Sequence, residues 1–161
     1  NQKWVTDVTE FSLFGQKIYL PPILDLHSSD VVSYVISDKP VLSMVMNMAK
    51  KAIDTLPPDT HPILHSDQGW QYQHKHYQHL LKQCGMQQSM SRKGNCLDNA
   101  VMENFFGLLK SELLYLEEFD SMEHFVMALE DYLDYYNNRR IKVKLKGLPP
   151  AVHRKQALLI A

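Results

Sequence analysis

The chain has 161 residues, of which 45% are hydrophobic and 22% charged, and its formal net charge is −1. That is the size and composition of one folded domain with a core of its own, which excludes a disordered or low-complexity protein. No apolar run is long enough to cross a bilayer as a helix, no signal-peptide pattern opens the sequence, and Cys84 and Cys96 form no CxxC pair; the expectation is a reducing, cytoplasmic setting without a disulfide scaffold or a membrane partner.

The small net charge hides an asymmetry. From Arg139 to the end there are seven basic residues (Arg139, Arg140, Lys142, Lys144, Lys146, Arg154, Lys155) and no acidic one, so the rest of the chain holds ten basic against eighteen acidic residues. A basic tail on an acidic body is the pattern of a protein that meets a polyanion with one part only, although a solvated terminus has the same composition.

Taken in chain order, Trp4, Thr6, Val8 and Thr9 favour a first strand over Lys3 to Phe11, with Asp7 in its middle. Gly15-Gln16 suggests a hairpin turn into a second strand, Lys17 to Asp25, where Pro21-Pro22 demands an edge or a bulge. His27 to Asp30 turns the chain into a third strand, Val31 to Ser37, completing an antiparallel meander. Asp38-Lys39-Pro40 then opens a helix with Val41, Leu42, Val45, Met48, Ala49, Ala52, Ile53 and Leu56 on one face, stopped by Pro57-Pro58.

The apolar Pro62-Ile63-Leu64 predicts a short buried strand running into His65-Ser66-Asp67-Gln68-Gly69-Trp70-Gln71-Tyr72. Asp67 therefore stands where a strand ends, with Gly69 relaxing the backbone beside it. A helix over Gln73 to Gln83 is closed by Gly85, and Met86 to Met90 predicts a fifth strand. Ser91 to Cys96 is a basic loop. A long helix follows over Leu97 to Leu116, then another over Ser121 to Tyr136, with Asp120 and Glu123 placed as its cap and Asn137-Asn138 as its end. The order β-β-β-α-β-α-β-α-α implies an α/β fold: a five-stranded mixed sheet, first three strands antiparallel, flanked by helices. The first strand is expected at the centre, with the fourth parallel beside it through a right-handed crossover.

If those two strands are neighbours, Asp7 and Asp67 reach the same place. Glu103, separated from Asp67 by 35 residues, can join them from the long helix, where Asn99, Glu103 and Lys110 share one face while Val101, Phe105, Leu108, Leu109 and Leu113 turn to the core. Three converging carboxylates repel one another and call for cations, and oxygen ligands suit Mg²⁺ or Mn²⁺. Two such ions can clamp a phosphodiester. The pattern His74-x-His76-x-x-His79 lacks the further ligands of a tetrahedral zinc site and reads better as a solvated helix face.

Several motifs now stand in order along nearly the whole chain: Trp4-x-Thr6-Asp7, His65-Ser66-Asp67-x-Gly69-x-Gln71-Tyr72, Ser91-x-x-Gly94-Asn95-Cys96-x-Asp98-Asn99-Ala100, Glu103-Asn104-Phe105-Phe106, Lys110-x-Glu112, Tyr136-Asn137 with Arg139 and Arg140, and Leu148-Pro149-Pro150. With them the chain resembles the catalytic core of the retroviral-integrase superfamily, which has a ribonuclease H-like fold. It is most similar to transposases of bacterial insertion sequences whose second reading frame carries an integrase core.

The resemblance implies a DDE catalytic core over residues 1–137, with 138–161 as its basic C-terminal tail. Asp7, Asp67 and Glu103 would be the catalytic acids, holding two Mg²⁺ ions (Mn²⁺ as substitute), and the reaction would be cleavage at DNA 3′ ends followed by strand transfer. Lys110 matches the family's basic residue at donor-end DNA. Arg92, Lys93, Arg139 and Arg140 are further candidates for DNA contact. His65, Asp98 and Asn99 could support the acids from behind, and a strand-end hydrogen bond or a helix cap is an equal reading of each. The implied partners are element-end and target DNA and further copies of the chain, in a bacterial cytoplasm at the nucleoid. The family's transposases carry an N-terminal helix-turn-helix region, so a chain that opens on the first core strand is expected to be a core fragment. A ribonuclease H-like nuclease that cuts without joining, and a non-catalytic DNA-binding or oligomerisation module, are the alternatives.

Overall fold

Alternation along the first strand sets the layering. In the computed structural model, which describes residues 2–91, 100–115, 117–140, 149–152 and 155, β1 (Lys3–Thr6) sends Trp4 into one apolar cluster and Val5 into another. Successive side chains of a strand leave on opposite faces, so a central strand buried on both sides must be apolar at consecutive positions.

The remaining strands are β2 (Thr9–Leu13), β3 (Gln16–Leu20), β4 (Pro22–Asp25), β5 (Val31–Tyr34), β6 (Ile63–Ser66) and β7 (Gln87–Met90). Five of them form one sheet in the order β5-β4-β1-β6-β7. β1 is antiparallel to β4 and β4 to β5, whereas β1–β6 and β6–β7 are parallel. The expected mixed sheet with the first strand at its centre is therefore present.

The helices are α1 (Leu42–Ile53), α2 (Trp70–Gln73), α3 (Lys75–Gln83), α4 (Ala100–Leu109) and α5 (Met122–Asn138). On one face of the sheet Trp4, Ile23 and Leu64 meet Met44, Val45, Met48, Ala49 and Ala52 of α1, with Tyr72 of α2 and Tyr77 and Leu81 of α3. On the other, Val5 and Leu24 meet Met102, Phe105 and Leu109 of α4 and Phe125, Leu129, Leu133 and Tyr136 of α5.

Several elements differ from expectation, each for a local reason. The first expected strand breaks at Asp7, whose Oδ1 accepts from the Val8 N–H at 2.8 Å. This side-chain bond takes that donor out of the ladder. The second breaks at Pro21, which has no N–H to give. The pieces beyond the breaks, β2 and β3, pair with each other as a separate hairpin. Its turn is Phe14-Gly15, one residue earlier than expected, with φ of 55° and 68°, the two left-handed residues of a type I′ turn. The helix expected over Gln73 to Gln83 is two, split at the extended His74, whose ring accepts from the His76 N–H to cap α3.

The long helix continues past Leu109 as a π-helical turn, Lys110–Leu114. Within α4 it is Met102 that is fully buried, while Val101 is 37% exposed. Ser121, rather than Asp120, caps α5, its Oγ accepting from the His124 N–H. α5 runs through Asn138, so the expected boundary between 1–137 and 138–161 falls inside its last turn. Asn137 does not merely end the helix. Its amide pairs with both the N–H and the C=O of Val31, each at 2.8 Å, as a neighbouring strand would do at the edge of β5.

Candidate active site

The parallel register pairs Val5 of β1 with His65 of β6. Two residues further on, Asp7 and Asp67 leave the same end of two adjacent strands. Asp7 is thus beyond the end of its strand, not in the middle. Both side chains are half-buried. Glu103 sits in the first turn of α4 and is exposed.

Electrostatics ties the three together. Burial, foremost, lifts the Asp7 carboxyl from its ordinary 3.8 to about 6; the charge of Asp67, a side-chain hydrogen bond with Asp67 and the charge of Glu103 push the same way, while the Val8 N–H opposes them. A carboxyl surrounded by like charges holds its proton.

Each aspartate is also aimed. Asp7 Oδ1 is held by the Val8 N–H, and Asp67 Oδ1 by the Gly69 N–H at 2.8 Å. Gly69 earns its place by space rather than by an unusual backbone. Its φ is −55°, but a Cβ there would lie 3.0 Å from Asp67 Oδ1.

This donor set suits a hard divalent cation. It consists of carboxylate oxygens whose mutual repulsion, visible at Asp7, a cation would relieve. The three acids share a field without closing on one point: among the described residues, no three His, Cys, Asp or Glu side chains are arranged to hold an ion.

The other expected residues distribute as follows. His65 bridges the β7 side of the sheet, Nδ1 to Ser89 Oγ at 2.8 Å and Nε2 to Ser91 Oγ at 3.0 Å, so a strand-end hydrogen bond is the role its geometry displays. Lys110 opens the π-helical turn with Nζ 5.9 Å from the centre of the Phe11 ring. Arg139 lies over Tyr135 and 3.7 Å from Asp134, its side chain 63% exposed. Arg140 is committed to Glu112, with Nε 3.0 Å from both carboxylate oxygens and Nη2 2.7 Å from Oε1. Arg92, Lys93, Asp98 and Asn99 lie outside the described residues.

Two residues quoted above within motifs, but not as site candidates, stand out by their surroundings. Tyr72 is 1% exposed and near enough to Asp7 and Asp67 for their charges to act on it. Its phenol is held well above its ordinary range by burial foremost, then by Tyr77 and the charges of Asp7 and Asp67, so it supports the site as a neutral group. Glu112 collects the Arg140 guanidinium and the Tyr132 hydroxyl. The i, i+4 spacing of buried Tyr132 and Tyr136 on α5 marks that face as apolar, but nothing in the sequence pairs Glu112 with a residue 28 positions away.

Comparison with known proteins gives the same reading of the chain. A family described as "Integrase core domain" matches residues 1–96, and a second family of the same description matches residues 103–158. The chain is 55% identical over 159 residues to InsK of Escherichia coli K12, described as a transposase for insertion sequence element IS150, covering 99% of this chain and 56% of InsK. It is 48% identical over 158 residues to a transposase-like protein of Haemophilus influenzae, covering 98% of this chain and 73% of that one. The chain thus spans little more than half the length of the first of these relatives. Among solved structures, the HTLV-2 integrase catalytic core in complex with magnesium superimposes with a TM-score of 0.71 at 19% identity, covering 93% of both chains. That likeness shows the fold, which is ribonuclease H-like.

Proposed function

The chain belongs to the integrase core domain family, and we propose that it is the DDE catalytic core of an insertion-sequence transposase, with Asp7, Asp67 and Glu103 as its metal-binding acids. The observation that carries this is the Asp7 carboxyl. It sits at the end of β1, raised to about 6 by burial and by the nearness of both Asp67 and Glu103. Two acids at the same end of adjacent strands and a third on a helix near enough for its charge to act on Asp7 support this reading.

The residues divide the work. Asp7 and Asp67, aimed by backbone N–H groups on the rigid sheet, would hold Mg²⁺ or Mn²⁺ together with Glu103 from α4. Two bound divalent ions would supply Lewis-acid stabilisation of the charge that develops on a phosphodiester. The DNA reaction is two displacements at phosphorus. Water attack at an element end frees a 3′-OH, and that 3′-OH attacks a target strand. In each step one P–O bond forms as another breaks, so no covalent protein intermediate and no external energy source is needed. Tyr72 keeps the floor of the site neutral and closed.

Lys110, Arg92, Lys93 and Arg139 are proposed to meet DNA phosphates, as is the basic tail over 138–161. Arg140 engages Glu112 through Nε and Nη2, and a phosphate would meet it at Nη1. A homo-oligomer that brings two element ends to one target belongs to the same reading.

The test is cleavage and joining of labelled element-end duplexes in Mg²⁺ or Mn²⁺. Asp67→Asn and Glu103→Gln should each abolish both products. Retained metal-dependent cleavage in either variant refutes the three-acid assignment. Cleavage without joining by the parent chain would favour a nuclease over a transposase.

A further inference from the structure

The sequence holds two tryptophans, and the fold treats them oppositely. Trp4 is fully buried, whereas Trp70 is 56% exposed. Trp70 lies three residues after Asp67, so it is within about 11 Å of that acid along the chain. Its backbone is not loose. Gly69 N–H is bound to Asp67, the Gln71 side chain reaches the Pro40 carbonyl at 3.4 Å, and Gln88 donates to the Tyr72 carbonyl at 2.7 Å. The Gln73 side chain closes back onto the Gln68 carbonyl. Gln71 and Tyr72, its next neighbours, are 8% and 1% exposed. The turn that aims Asp67 therefore also fixes the backbone that carries the large apolar ring, and leaves more than half of Trp70 in water.

We propose that Trp70 is a base-stacking platform that receives an unpaired nucleotide of the DNA end engaged by the three acids. This rests on the DNA-acting reading above. The physical reasons are three. An indole forgoes a large burial gain by standing exposed, and a ring on a fixed backbone loses little entropy when something covers it. Bases offer flat π-faces that stack on aromatic side chains irrespective of sequence, which suits a core that reads no sequence through this residue. And a strand whose phosphodiester must reach acids at the end of a sheet is more accessible when its terminal pairs are open, exposing a base face that a closed duplex hides.

The buried Trp4 makes the test direct, because the solvent-responsive part of the fluorescence belongs to Trp70. The 161-residue chain is titrated, without divalent metal, with labelled oligonucleotides that are either blunt duplexes or carry a short 3′ single strand. Anisotropy of the label reports binding and tryptophan emission reports stacking. The expected result is quenching by the overhang substrate, weaker quenching by the blunt one, and a roughly ten-fold loss of overhang affinity in Trp70→Ala that Trp70→Phe restores in large part. Blunt-duplex affinity should change less than about two-fold. Equal affinity of Trp70→Ala and parent for the overhang, or binding without a change in emission, overturns the proposal and leaves the three-acid assignment standing. Emission that changes with protein concentration and not with DNA assigns the ring to a contact between copies and overturns it equally. Failure to bind either oligonucleotide overturns both readings.

Discussion

Replacing Asp7 by Asn should make the protein more stable near neutral pH while removing its activity. The folded-state carboxyl is raised to about 6 from an ordinary 3.8. An acid with a raised folded pKa binds its proton more tightly in the native state, so its ionisation opposes folding. Below pH 3.8 it is protonated in both states and costs nothing. Between 3.8 and 6 the unfolded chain has released the proton and the native chain has not, so stability falls as pH rises. Above 6 the full penalty is present. A rise from 3.8 to about 6 would correspond to about 3 kcal/mol. The group is only part-buried, so solvent screening reduces this to about 1–2 kcal/mol, or ~3–6 °C in Tm for a chain of this length.

The assay is thermal unfolding of parent and Asp7→Asn at pH 4 and pH 7.5, without and with millimolar Mg²⁺. The variant should gain Tm at pH 7.5 and not at pH 4. Mg²⁺ should raise the Tm of the parent at pH 7.5 and leave the variant nearly unchanged, because the cation relieves a repulsion the variant no longer has. A variant less stable than the parent at pH 7.5, or equally stabilised at both pH values, would refute the reasoning.

Three further outcomes test the surrounding structure. Gly69→Ala places a Cβ 3.0 Å from Asp67 Oδ1; cleavage should fall about ten- to hundred-fold, as for a misaimed reacting group, with Tm shifted by less than ~2 °C, and unchanged cleavage would show that Asp67 tolerates a new aim. Asn137→Ala removes both bonds to the Val31 backbone and should cost about 2 kcal/mol in urea unfolding; a loss below about 0.5 kcal/mol would mean water replaces the amide. Arg140→Lys keeps the charge but loses the two-pronged contact with Glu112, whose side chain is 30% exposed against 19% for Arg140; a destabilisation of about 1–2 kcal/mol is expected, and an unchanged midpoint would show that the pair holds nothing in place.

Local chemistry was enough to find much of this molecule. The first strand follows from the β-propensity of Trp4, Thr6, Val8 and Thr9, and the apolar face of α1 and the short apolar run ending at Asp67 from side-chain pattern, which a single element carries by itself. The expectation that the first strand is central came from the element order, three antiparallel strands followed by alternating helices and strands. The three acids proposed for the site were suggested by motif spacing and chain order together.

What the sequence could not settle depends on groups distant in the chain meeting in space. Periodicity did not separate Met102 from Val101, because a helix face is defined only once a partner covers it. Gly69 looks like a flexible turn residue until the carboxylate it must clear is in position. Glu112 and Arg140 are neighbours only after the π-helical turn and α5 have come together, and Asn137 becomes a surrogate strand only when it reaches the edge of β5. The sequence named three carboxylates, but only the parallel register of β1 with β6 put two of them at the same end of adjacent strands. Burial there, with the charges of Asp67 and Glu103, raised the first of them to about 6.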